Sequence, residues 1–214
     1  MNVKRIFLCF LMVVVVSFGA SLTLKSAIGV GAWDALAQTG SEVTGIQVGT
    51  IGMVLNFICI FIQLIVLKKE FKTKHALQIG LSIVLGYTVN FFYYDVLGNI
   101  VISHYYTRIL MLIIGYTINA FTVAVLMLLD VVTFALEGAC NVVANKRGLN
   151  FPILRQKIDI ICIVIVILMA LVFKFSLLVR EGTIIGMILF GPIMGVFLKY
   201  LKPIFQKYNL TDYT

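Results

Sequence analysis

Nine carboxylates are spread through 214 residues, and three of them, Asp34, Glu137 and Asp159, sit in or beside apolar sequence. Ionised groups are costly there and tend to mark pathways or ion pairs. Asp34 stands near the start of WDALAQTGSEV, Glu137 holds a similar place in LEGACNVVA, and Asp159 lies early in a long apolar run. Such carboxylates can bind a cation, take up a proton or pair with a base. Arg155, one helical turn before Asp159, offers an i,i+4 pair. In the first turn of a short helix, Asp34 and Glu137 could also serve simply as caps.

Amides add a second set of polar groups. Asn56 and Gln63 are seven positions apart and share a helical face; Ser82, Gly86 and Asn90 recur every four, and Tyr116, Asn119 and Thr122 every three. Stripes of this kind either line a polar path or hydrogen-bond between helices at about 1 kcal/mol each. The sequence contains no HExxH, GxSxG, P-loop or GxGxxG, so no enzyme is expected. Cys9, Cys59, Cys140 and Cys162 form no CxxC, and His75 and His104 have no ligand-like spacing. Neither a metal nor a cofactor is expected.

The elements that must carry these groups follow from composition. The chain is 61% hydrophobic and 12% charged, against about 45–50% and about 25% in an average soluble domain. That excludes an ordinary soluble enzyme, a disulfide scaffold and a disordered protein. About 20 apolar residues cross a bilayer, and six runs qualify: 6–24, 48–67, 76–96, 109–129, 153–173 and 184–201. The pair Lys4–Arg5 before the first run resembles a signal-peptide start, but the run is long and its cleavage pattern weak, so it reads as a span. Two shorter segments, 33–43 and 131–144, read as helices too short and too polar to span.

The formal charge of +8 has the same origin. With six spans, thirteen of the seventeen cations fall on one side, in the N-terminus, the 68–74 loop, the 146–157 region and the tail. Only Lys25, Arg108, Lys174 and Arg180 fall on the other. This bias places both termini in the cytoplasm. Cations gathered at span ends speak for lipid headgroups and against nucleic acid as a partner.

Shifting the chain by 103 aligns Asp34 with Glu137, Gly45 with Gly148, Asn56 with Asp159 and Cys59 with Cys162; a shift of 105 aligns Gly86 with Gly191. Residues 1–103 and 104–214 thus read as two repeats of three spans and one short segment. Three is odd, so the second repeat enters the membrane from the opposite side. The expected fold is an all-α membrane protein: six transmembrane helices in two inverted three-helix repeats, each with a short re-entrant or interfacial helix. The GxxxG pairs Gly182/Gly186 and Gly191/Gly195 suggest close helix packing, with a kink at Pro192.

The segments IGVGAWDAL and TGIQVG, then LEGACNVVANKRGLNFPILRQKID and VREGTIIGMILFGPIMGVF, resemble the YczE/YyaS/YitT group of bacterial multi-span membrane proteins. The resemblance covers about residues 5–200, and the short stretch after Lys207 favours the YczE-like branch, which lacks a soluble C-terminal domain. It implies a bacterial inner-membrane location and no particular substrate.

The function expected is a small-solute transporter or exporter working by alternating access. Asp34 and Glu137 would stand near opposite gates, with Asn56, Asn90, Asn119 and Asp159 along the path. Arg180 would pair with Asp34, and Lys74 with Glu137, as two gates. The alternatives are a substrate-binding membrane subunit of an energy-coupling vitamin transporter, for which Ser17-xxx-Ser21 is a weak interaction surface, and a non-transporting scaffold or regulator. Partners would be the bilayer, an unidentified solute, and a second copy or another membrane protein.

Overall fold

The computed structural model of the chain describes residues 3–71 and 73–208, apart from the side chains of residues 3, 73 and 74. Every regular element among these residues is helical. In order they are α1 (Val3–Ser26), α2 (Ala32–Thr44), α3 (Val48–Leu67), α4 (Thr73–Asn90), α5 (Tyr105–Leu129), α6 (Ala135–Arg147), α7 (Phe151–Phe173) and α8 (Glu181–Lys207). A 3₁₀ turn, Lys68–Glu70, follows α3, and a π-helical turn, Phe91–Val96, extends α4.

Six of the helices are long and apolar enough to cross a membrane, and they coincide with the six runs expected. The last is longer than expected and continues to Lys207 without a break, through Pro192 and Pro203. Pro152 sits in the first turn of α7, where its missing N–H costs no helical bond. The outward surfaces of α7 and α8 carry Ile161, Leu168, Leu171, Ile184, Met187 and Ile188, all exposed. An apolar surface this broad is unfavourable in water and suits lipid. The protein is an integral, multi-pass membrane protein.

The helices α2 and α6 have thirteen residues each, about 20 Å at 1.5 Å per residue and too short to cross. Helix α6 was expected from position 131 but begins at Ala135. Asp130 turns into the left-handed region at φ 47°, and residues 131–134 are non-helical. Val131 and Val132, which suggested a helix by their apolarity, are buried in that connection instead.

Local geometry repeats at a fixed spacing. Both ends of α2 and α6 are 103 positions apart. Gly45 and Gly148 close them in left-handed conformations, at φ 71° and 64°, with N–H bonds to Ser41 and Ala144. A side chain would be strained there although space is open. Ala27 and Asp130, at φ 54° and 47°, are another pair at that spacing. The turn at Gly45 folds α2 back along α3, so that Gly40 meets Ile51 and Ala37 meets Gly52.

Helices α1 and α5 form the central pair and run antiparallel. Gly19 lies against Ile118 and Asn119, and further along Gly115 lies against Thr23. Around them α4 packs on α1 and α8 on α5, α3 on α6, and α2 on α7. One relation is unbalanced. Helices α3 and α4 are pressed together at Gly49 and Gly86, whereas α7 and α8 have no comparable contact among the described residues. Of the α8 glycines, Gly182 meets the Ile28 and Gly29 carbonyls and Gly186 meets the Tyr116 ring, but Gly191 and Gly195 face open space. The close packing expected of both GxxxG pairs is made by the first only.

This asymmetry is testable by one methyl group. Gly49→Ala would drive a Cβ into the Gly86 carbonyl and the Asn90 side chain. Overpacking of this kind costs about 1–3 kcal/mol, and a lower unfolding temperature in detergent is expected. Gly191→Ala adds a methyl to free space and gains helix propensity of about 0.5–1 kcal/mol, so its unfolding temperature should be equal or higher. Indistinguishable melting curves for the two variants would refute the packing difference.

Candidate functional site

The turn after α1 leaves non-helical backbone at residues 27–31, and its carbonyls need donors. The start of α8 supplies them. Gly182 N–H bonds the Ile28 carbonyl at 2.7 Å, Thr183 Oγ1 bonds that of Val30 at 2.8 Å, and Arg180 Nη1 reaches that of Ala27 at 3.2 Å. The connection before α6 is held from α3 and α4. Gln63 Nε2 donates to the Ala135 carbonyl at 3.1 Å and to Gln78 Oε1 at 2.8 Å, and Gln78 Nε2 reaches Thr133 Oγ1 at 3.5 Å. These bonds fix where the first turns of α2 and α6 point.

Those first turns carry Asp34 and Glu137, and Arg155 on α7 stands between them. Its Nε lies 3.5 Å from Glu137 Oε1, and its Nη1 pairs with Asp159 Oδ1 one turn along the same helix. The charges that bear on Asp34 are those of Arg155 and Glu137. Two carboxylates thus share one guanidinium, and Asp34, which feels the same charge, has no ion pair or hydrogen bond among the described residues.

Asp34, half-buried, borders a partly open cavity of about 70 Å³, together with Trp33, Gly52, Asn56 and Leu85. Asn56 and Leu85 also border a smaller cavity of about 10 Å³, with Gln78, Ser82 and Thr133 on its far wall. Asn56 is 7% exposed, and its amide has no hydrogen bond among the described residues. Amides buried to this degree are normally bonded. Asn56 borders both cavities.

The other residues singled out in the sequence are placed elsewhere. Asn90 Oδ1 accepts the Gly49 N–H at 2.7 Å, and its Nδ2 donates to Thr50 Oγ1 at 2.9 Å, so it caps α3 and clamps it to α4. Asn119 lies against Gly19 in the α1–α5 crossing. Neither borders the larger cavity. Arg180 is bound to Ala27 and Glu181, so the expected pairing with Asp34 is not made. The Lys74 side chain lies outside the described residues. Among those, no group of three or more potential metal ligands comes together.

The cavity walls and the ion pairs beside them also hold residues that the sequence reading did not put in the site. Arg155 was legible only as the partner of Asp159, because the Glu137 contact joins two helices. Gln78 and Ser82 share the four-residue spacing of the α4 stripe, and that signal could have placed them with Asn56. Trp33 gave none beyond its adjacency to Asp34.

Six spanning helices, two short helices folded among them and an internal carboxylate at a cavity define a multi-pass membrane protein with a buried polar site. Residues 3–199 match a family of unknown function, DUF6198, and the chain belongs to that family. No curated protein matches the chain, and no solved structure does.

Proposed function

We propose that this protein moves a small solute across the membrane by alternating access, with the solute held beside Asp34 and Asn56. The observation that carries this reading is the Asp34 cavity: a carboxylate and an unbonded amide lining one partly open space between α1, α2, α3 and α4. Neither group has a hydrogen bond or an ion pair among the described residues, and both border the same cavity.

An inverted duplication underlies the proposed mechanism. It is supported by the 103-residue spacing of the α2 and α6 ends and of their left-handed turns, and by the antiparallel course of α1 and α5. In such a fold α2 and α6 are re-entrant helices whose first turns meet near the midplane from opposite sides. The two repeats then need not adopt the same state at the same time. The tight α3–α4 contact and the separated α7 and α8 fit one closed gate and one open gate. The bias of cations sets both termini in the cytoplasm, and the YczE-like motifs favour a bacterial inner membrane.

The test is access to position 56. In a variant with Cys9, Cys59, Cys140 and Cys162 replaced by alanine, Asn56→Cys should react with a membrane-impermeant maleimide from each face of oriented vesicles. Ile28→Cys, buried against Leu112, should stay unreactive. No labelling of Asn56→Cys from either face would overturn the transport reading.

A further inference from the structure

We propose that the cavity beside Asp34 binds a compact organic cation that carries N–H donors, of the size of guanidinium or a short alkylammonium. This deepens the transport reading and rests on it for access from water.

Four observations converge on that class. The first is charge. Asp34, Glu137 and Asp159 face a single guanidinium, and Arg155 spends its contacts on Glu137 and Asp159. A carboxylate in low dielectric must be neutralised by a partner or a proton, so Asp34 leaves a place for one positive charge. The second is hydrogen bonding. An ionised carboxylate only accepts, and an amide offers one accepting oxygen, so Asp34 and Asn56 together suit a ligand that donates in two directions. The third is Trp33, which borders the cavity while it packs against α3 and α6, since an indole is the most favourable aromatic partner for a cation. The fourth is size. A cavity of about 70 Å³ compares with about 10–15 Å³ for one water on the same scale, which admits a solute of about five heavy atoms.

Trp33 is the only tryptophan in the chain, so its emission reports on this wall alone. Guanidinium and urea have the same shape and number of heavy atoms and differ by one charge. With purified protein in lipid nanodiscs, low-millimolar guanidinium chloride should change Trp33 emission saturably, while equal urea or sodium chloride should not. Asp34→Asn keeps the shape and removes the charge, and should weaken guanidinium binding at least about tenfold. Asn56→Ala, remote from the ion pairs, should weaken it less and serves if Asp34→Asn does not fold. A response to urea equal to that of guanidinium, or full binding by Asp34→Asn, would overturn the cation assignment. If neither probe acts while Asn56→Cys remains reactive, the cation class falls and transport stands. If neither probe acts and Asn56→Cys is silent from both faces, both fall together.

Discussion

Arg155→Ala should yield several-fold less folded protein in detergent than the parent. Among the described residues the guanidinium is the only positive group paired with Glu137 and Asp159, and removing it leaves two carboxylates repelling each other beside lipid-facing helices. Breaking a fully buried pair from one side costs about 3–5 kcal/mol. These side chains are between 24% and 39% exposed, so screening reduces that to about 2 kcal/mol. Against a total stability of about 5–15 kcal/mol this is a large fraction. The decisive control removes the acids as well. Arg155→Ala combined with Glu137→Gln and Asp159→Asn should recover monodisperse protein, because the penalty lies in the orphaned charges and not in the lost guanidinium. Arg155→Lys should fall between, since an ammonium lacks the fork that serves two carboxylates at once. If Arg155→Ala were extracted and melted like the parent, the pairing would carry no structural weight.

The second large effect concerns the clamp. Asn90→Ala removes two hydrogen bonds between α4 and the start of α3 and strands the Gly49 N–H, which Asn90 now satisfies. Leaving one buried donor unmet costs about 1–3 kcal/mol. That cost falls on the state in which α3 and α4 are closed. In a state where they part, water meets the same N–H and the penalty vanishes. The equilibrium should therefore move toward the parted state by about tenfold or more. Combined with Asn56→Cys in the cysteine-free variant, Asn90→Ala should raise the maleimide labelling rate from one face and lower it from the other. Equal change from both faces would mean general loosening, and no change would mean that Asn90 is only a helix cap.

What the sequence revealed and what it concealed divides along the range of the interactions involved. The six long helices were legible because each needs only its own run of apolar residues. The Arg155–Asp159 pair was legible because one turn of helix brings i and i+4 together. The start of α6 was missed because apolar Val131 and Val132 look like helix, while the left-handed turn at Asp130 that delays it is set by the backbone. Asn90 and Asn119 shared the spacing of path-lining residues, yet Asn90 is taken up by the Gly49 N–H and Asn119 is packed into the α1 crossing at Gly19, away from both cavities. Periodicity tells which face a side chain occupies and not what stands opposite. The expected Arg180–Asp34 pair is not made in this structure for that reason too. Arg180 meets Glu181 beside it and the Ala27 carbonyl of a distant turn, and a carbonyl leaves no trace in residue type.

The bonds from Thr183 to Val30 and from Gly182 to Ile28 span more than 150 positions, and they set an order of assembly. Residues 27–31 can be inserted into the membrane early, but their carbonyls find these donors only when the last helix emerges from the ribosome. The other connection, before α6, draws on Gln63 and Gln78, which are already made when it arrives. One short helix thus docks on a prepared surface, while the other waits for nearly the whole chain. Until then its polar backbone must shelter in water, at the bilayer surface or inside the insertion machinery. The first half of the sequence holds its own helices but not the donors that its first turn needs.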